Sequence, residues 1–144
     1  MKLMRVLRVG CVGAALVAVV AACNNSPTTP SGAAFSSTDL IVGTGATAAA
    51  GSTVTVTFTG WLYDATKPDG KGLVIDTTVG GESRDYVLGN GTVIAGWNQG
   101  LPGMKIGGTR RLVIPPSLAY GASRNGPIPP NATLVFDIEL INVK

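Results

Sequence analysis

The stretch Gly91-Thr92-Val93-Ile94-Ala95-Gly96-Trp97 decides how the rest of this chain is organised. Asn90-Gly91 predicts a turn before it, and Pro102-Gly103 predicts a stop after it, which leaves room for about two turns of helix. So short a helix is not stable alone and must be held by packing. Trp97 is the side chain best suited to this, because a large ring dominates the energetics of a small core.

The segments around this helix have the patterns of strands and turns. Between Thr53 and Gly60, the apolar Val54, Val56 and Phe58 alternate with threonines, which predicts a half-buried strand. Alternation over 133–143 predicts the longest strand, and shorter strands are expected at 39–42, 73–77, 84–88 and 109–114. The pattern therefore predicts an α+β domain in which a sheet wraps around one short helix.

The first 22 residues are predicted to be a secretory signal peptide and not part of that domain. Lys2, Arg5 and Arg8 make a basic start, and 9–22 is uncharged and almost wholly apolar. This apolar run is shorter than the roughly 20 residues that a helix needs to span a bilayer. Of the 11 basic residues, three leave with this peptide, so eight basic residues face eight acidic ones afterwards.

The end of the signal predicts a lipid anchor. Val20-Ala21-Ala22-Cys23 resembles a bacterial lipobox, in which the cysteine becomes the first mature residue and carries the lipid. Asn24, in place of aspartate, resembles a sorting signal for the outer membrane. We therefore expect a lipidated Cys23, a flexible tether over 23–37 and a domain over 38–144, held in the cell envelope at the outer membrane and facing the periplasm.

Missing residue types exclude several kinds of chemistry. The chain has no histidine, which excludes a Ser-His-Asp triad, a Cys-His pair and a histidine-bearing zinc site. Cys11 would be removed with the signal peptide and Cys23 would be lipidated, so no disulfide is expected. No basic stripe supports nucleic-acid binding. Asp76 is the one acid embedded among apolar residues, so a paired-carboxylate hydrolase is not supported.

The remaining candidates form an apolar, aromatic-rich set with one acid. Its members are Phe58, Ile75, Asp76, Tyr86, Val93, Ile94, Trp97, Tyr120, Ile128 and Phe136. Trp97 and Phe136 taken alone are the most typical of a core. Tyr120 is less so, because it lies in a proline-rich loop before Gly121.

Seven segments, in order and at matching spacing, resemble the FKBP-type peptidyl-prolyl cis-trans isomerases over about residues 38 to 144. They are Val56-Thr57-Phe58-Thr59-Gly60, Ile75-Asp76-Thr77-Thr78, Val93-Ile94-Ala95-Gly96-Trp97, 100–108, 110–116, Leu118-Ala119-Tyr120-Gly121 and 128–136. The resemblance implies an antiparallel β-sheet curled around one short α-helix, with a substrate pocket between them.

The resemblance also implies a role for each candidate. Trp97 would form the pocket floor, and the Ile94 N–H and the Tyr120 hydroxyl would bond substrate carbonyls. Asp76 would be a buried acid near the twisting amide. The walls would be Phe58, Ile75, Tyr86, Val93, Ile94, Ile128 and Phe136. No cofactor or metal is implied.

The chain departs from the family at several of these positions. Phe58 stands where tyrosine is frequent, so a hydroxyl that could reach the acid is missing. Ile75 and Arg84 each stand where aromatic residues occur. The loop over 122–127 is about one residue short and has Asn125-Gly126 where some members carry histidine, whereas the loop over 64–72 is longer.

Three functions follow as alternatives. The first is an isomerase that assists the folding of exported proteins, with unfolded proline-containing polypeptides as partners, macrolides as inhibitors and a monomeric state. The second is a membrane-tethered peptide-binding or chaperone module with little turnover. The third is a small-ligand carrier, which needs a larger closed barrel than these few strands provide.

Overall fold

A computed structural model describes residues 33–144 of the chain. The predicted signal peptide, the lipidation site Cys23 and the spacer up to residue 32 lie outside the described residues. No helix among the described residues is long and apolar enough to cross a membrane.

The described residues form one sheet of six strands and one short helix. The sheet runs in the order β1-β5-β6-β2-β3, with β4 paired to β2 as well, and every pairing is antiparallel. The predicted α+β class, with an antiparallel sheet and a single short helix, is confirmed. The elements are β1 (Ser36–Ile41), β2 (Thr53–Tyr63), β3 (Lys71–Thr77), β4 (Arg84–Val87), α1 (Ala95–Gly100), β5 (Thr109–Ile114) and β6 (Leu134–Val143).

The alternating patterns place the core as expected. On β2, Val54, Val56 and Phe58 are buried while the intervening threonines are partly exposed. Strand β6 lies beside β2 in the middle of the sheet, and its Ile138 is the register partner of Phe58. The two strands with the clearest period of two therefore form the centre of the sheet, where one face is buried.

Strand β1 begins earlier than predicted. Ser36 pairs with Val113 and Ser37 with Leu112, so these serines lie in the sheet and not in the predicted spacer. Strand β1 is at the edge, and its six residues are all exposed. Backbone pairing with β5, and not burial of side chains, holds this strand in the sheet. The serines at its start therefore show no alternating pattern that would predict a strand.

Two glycines bring α1 close to β5. A Cβ atom on Gly96 would lie 2.5 Å from Ile114 Cγ2, and one on Gly100 would lie 2.5 Å from Leu112 Cδ2. Real side-chain atoms do not approach so closely, so the helix can reach the sheet only where it has no side chain. This contact fixes the helix and sets the position of Trp97, which lies between the two glycines.

Candidate active site

A cavity of about 470 Å³ is lined by residues from α1, from strands β2, β3, β4 and β6, and from two loops. The structure brings all ten candidate residues to this one cavity. They are Phe58, Ile75, Asp76, Tyr86, Val93, Ile94, Trp97, Tyr120, Ile128 and Phe136.

Trp97 is surrounded by three aromatic rings. The rings of Phe58, Tyr86 and Phe136 lie 5.0, 5.3 and 5.4 Å from the indole centroid, each at 80 to 89° to its plane. Edge-to-face contacts of this kind are favoured by the ring quadrupoles. Trp97 is only 4% exposed. The cavity therefore has a rigid aromatic base on which an apolar ring can rest.

The indole N–H of Trp97 has no hydrogen-bond partner among residues 33–144, although the atom is buried. A buried donor without an acceptor costs free energy, and native structures contain few of them. The indole at the base of the cavity thus keeps one unpaired donor.

Two hydrogen bonds fix the position of Phe58 on β2. The Phe58 N–H donates to Thr78 Oγ1 at 2.7 Å, and the Thr78 N–H donates to the Phe58 carbonyl at 2.9 Å. Thr78 is buried, and it directly follows β3. We did not single it out from the sequence, although it lies in the Ile75-Asp76-Thr77-Thr78 segment. It ties the end of β3 to the wall of the cavity.

A β-bulge on β3 explains how two consecutive residues line the same cavity. Gly60 pairs with Asp76 and Trp61 with Val74, so Ile75 is an extra residue on its strand. Side chains normally alternate between the two faces of a strand, and a bulge breaks this alternation. Ile75 and Asp76 therefore both reach the cavity.

The expectation of a buried Asp76 is wrong. Its side chain is 49% exposed, and Oδ2 lies 3.3 Å from Nη1 of Arg84, whose side chain is 51% exposed. Leu73 and Val74, the apolar neighbours that suggested burial, are themselves exposed. The physical reason is that β3 is an edge strand, so its apolar composition does not indicate burial. Asp76 borders the cavity but lies at its solvent side.

Tyr120 comes from the loop between β5 and β6. It is 36% exposed, and burial, followed by the nearby Asp76 carboxylate and Tyr86, raises the pKa of its hydroxyl. The side chain of Asn125 acts in the opposite direction by hydrogen bonding. The Tyr120 hydroxyl therefore stays protonated, and able to donate a hydrogen bond, throughout the neutral range.

Four cavity residues were not predicted. Gly91 and Thr92 come from the turn before α1, and Asn125 and Pro127 from the loop before Ile128. Asn125 and Ile128 exchange backbone hydrogen bonds of 3.0 and 2.8 Å, which closes a tight turn through Gly126 at φ +53°. The sequence distinguishes this loop only by Asn125-Gly126, which stand where some family members carry histidine. It does not predict that Asn125 and Pro127 line the cavity.

The backbone at Ile94 lies at the start of α1, beside the cavity. Ile94 caps α1 in an extended conformation, and its carbonyl accepts from the Trp97 N–H at 3.0 Å. Within the part of the chain that the structure describes, no acceptor pairs with the Ile94 N–H. One donor is thus free beside the aromatic base.

Comparison with known proteins agrees with this geometry. A family model described as FKBP-type peptidyl-prolyl cis-trans isomerase matches residues 45–141. The chain is 44% identical over 106 residues to an FK506-binding protein of Neisseria meningitidis serogroup B, covering 73% of this chain and 92% of that protein.

Longer proteins contain a similar segment. The chain is 46% identical over 107 residues to the 46 kDa FK506-binding nuclear protein of Spodoptera frugiperda, covering 74% of this chain but only 24% of that protein. The crystal structure of FkpA from Escherichia coli aligns with a TM-score of 0.64 and 40% identity, covering 76% of this chain and 48% of that one. The chain belongs to the FKBP-type peptidyl-prolyl cis-trans isomerase family.

Proposed function

We propose that this protein catalyses cis–trans isomerisation of X-Pro bonds in unfolded or partly folded exported polypeptides. The observation that carries the proposal is the convergence of all ten candidate residues on one cavity with an aromatic base. The proline ring would rest on Trp97. The Ile94 N–H and the Tyr120 hydroxyl would hold the carbonyls on either side of it.

The mechanism needs no nucleophile. Amide resonance gives rotation about the peptide bond a barrier of about 18–20 kcal/mol. Water stabilises the planar, charge-separated amide, and an apolar cavity removes that support while fitting the twisted form. Each gain of about 1.4 kcal/mol in the transition state raises the rate about tenfold. The Asp76 carboxylate, at the border of the cavity, would interact electrostatically with the amide, whose charge distribution changes as the bond rotates.

A proline-peptide assay on the purified protein tests this function. We expect isomerisation well above the uncatalysed rate, and inhibition by a macrolide of the FK506 type, because several relatives are named as FK506-binding proteins. Asp76→Ala should lower turnover while peptide binding persists. A rate equal to the uncatalysed background would overturn the proposal.

A second function is favoured by the exposure of Asp76. An acid that is half exposed and paired with Arg84 is less able to act on an amide inside the cavity. The protein would then bind proline-containing segments as a chaperone with little turnover. Peptide binding without acceleration, unchanged by Asp76→Ala, would support this alternative.

We further propose that Cys23 carries a lipid that holds the domain at the outer membrane, facing the periplasm. The basic start, the apolar run and Val20-Ala21-Ala22-Cys23 support this. Cys23→Ser should move the protein from the membrane to the soluble fraction, and mass spectrometry of the wild-type protein should find a lipidated residue 23. An unmodified residue 23 would overturn the proposal.

A further inference from the structure

Asp76 has a single anchor among the described residues. Its carboxylate contacts Nη1 of Arg84, and no other side chain or backbone group of residues 33–144 donates to it. Phe58, which lines the same cavity, offers no hydroxyl. A half-exposed carboxylate without a second bond can adopt other rotamers. The position of this acid at the cavity therefore depends on Arg84.

Arg84 is itself held at the mouth of the cavity. Its guanidinium carbon lies 5.9 Å from the centroid of the Phe58 ring, within the range of a cation–π contact. The neighbouring Tyr86 hydroxyl, followed by Asp76, raises the pKa of Arg84, so the guanidinium stays charged. Arg84 thus contacts two residues that line the cavity, Phe58 and Asp76, although it does not line the cavity itself.

The ion pair also connects two strands that do not pair with each other. Asp76 lies on β3 and Arg84 is the first residue of β4, and each strand pairs with a different part of β2. The pair therefore bridges the wall formed by Ile75 and Asp76 and the wall formed by Tyr86.

We propose that Arg84 is the positioning residue for Asp76, and that it makes the activity of this site sensitive to ionic strength. The inference rests on the proposed isomerase function. A half-exposed pair with one 3.3 Å contact is weak and is screened by salt. Salt should thus release Asp76 from the cavity without unfolding the protein.

The chain offers a matched control. Lys144 Nζ lies 3.2 Å from Asp85 Oδ2, and the two side chains are 61% and 50% exposed, compared with 51% and 49% in the Arg84–Asp76 pair. Asp85 lies on β4 next to Arg84 but does not line the cavity. Lys144→Gln removes the same charge as Arg84→Gln from a pair of similar length and exposure.

The test measures kcat and KM for a proline peptide at low and high salt, using the full chain. We expect Arg84→Gln to lower kcat by about two- to fivefold at low salt with little change in KM. High salt should lower wild-type kcat by a similar factor and leave Arg84→Gln unchanged. Arg84→Lys should recover part of the loss, and Lys144→Gln should behave as the wild type.

A double variant separates positioning from a direct role. If Arg84 acts through Asp76, Arg84→Gln should have no further effect in an Asp76→Asn background. A loss that persists there, or full low-salt activity of Arg84→Gln, would overturn the inference.

A second readout does not depend on turnover. The carbon-13 resonance of the Asp76 carboxyl should shift in Arg84→Gln and with salt in the wild type, but not in Lys144→Gln. If the wild type has no isomerase activity, the proposed function fails, and this NMR result still decides whether Arg84 holds Asp76. An Asp76 resonance unaffected by Arg84→Gln would refute the contact.

Discussion

The Trp97 indole meets the ring of Phe58 edge to face, with centroids 5.0 Å apart and planes at 86°. This pair joins α1 to the central strand β2, so it belongs both to the hydrophobic core and to the surface of the cavity. Stability and substrate binding therefore both depend on Trp97. Replacing it by side chains of different size should separate its effect on stability from its effect on binding.

Two variants of Trp97 test this separation. Trp97→Ala should lower the free energy of unfolding by about 3–5 kcal/mol, because it leaves a void under three rings, and it should abolish activity. Trp97→Leu should keep most of the fold and weaken peptide binding. Denaturant unfolding and calorimetric titration measure the two effects. Binding and turnover unaltered in Trp97→Leu would mean that Trp97 is a core residue only.

Tyr120→Phe removes a hydroxyl without removing the ring. We expect kcat/KM to fall by about two- to tenfold, which is the loss of roughly one hydrogen bond to the substrate. The pKa of Tyr120 is raised, so its neutral form is present below the ordinary value of about 10 and is lost only as the pH rises beyond it. The wild-type rate should therefore not decline between neutral pH and about pH 9. A decline in that interval, absent from Tyr120→Phe, would contradict the raised pKa.

Gly96→Ala tests the close contact between helix and sheet. Alanine favours a helix by about 1 kcal/mol over glycine, but here its Cβ would lie 2.5 Å from the buried Ile114. Overpacking of this kind costs about 1–3 kcal/mol, so we expect net destabilisation in thermal unfolding. The control is Gln99→Ala, at an exposed position of α1, which should be neutral or slightly stabilising. Equal changes in thermal stability for Gly96→Ala and Gln99→Ala would show that α1 can move away from β5 to make room for the added methyl group.

Asp137 should determine part of the acid stability. Partial burial raises the pKa of this carboxyl, but hydrogen bonds from Arg111 and Lys71, at 2.7 and 2.6 Å, outweigh it and leave the pKa below its ordinary value. The stabilisation is complete above the unfolded-state pKa of about 3.9 and is lost as the pH falls through the lower native pKa. Asp137→Asn should cost about 1–2 kcal/mol at neutral pH.

The free energy of unfolding, measured from neutral to acid pH, checks this prediction. The difference between wild type and Asp137→Asn should shrink below about pH 4. Asp85→Asn, at a more exposed carboxylate, should cost less at neutral pH. A difference that stays constant with pH would show that the Asp137 charge does not contribute.

Much of the fold was predictable because the two central strands alternate over most of their length. Burial on one face forces a period of two, and the burial of β2 has it over 53–60 and that of β6 over 136–141. Strand β5 has the predicted bounds, 109–114. The edge was less predictable. Ser36 and Ser37 joined β1 through backbone pairing, and backbone pairing leaves no pattern in the side chains.

The members of the candidate site were predictable from ordered motifs, but their environment was not. Asp76 was expected to be buried because Leu73 and Val74 are apolar, yet β3 is an edge strand and exposes them. Its contact with Arg84 joins residues eight positions apart across a turn, and no local pattern encodes that. Asn125 reaches the cavity through a turn that backbone hydrogen bonds to Ile128 close, and we did not predict that turn.

The packing of the two tryptophans has a practical consequence for spectroscopy. Trp97 forms the base of the cavity, whereas Trp61 does not line it and lies under the Lys71 ammonium, 4.3 Å from the centroid of its ring. The chain has no other tryptophan. A ligand that enters the cavity should therefore change the emission of one indole and leave the other as a constant background. The protein thus carries its own fluorescent reporter of occupancy, and Trp61→Phe would remove the background without touching the site.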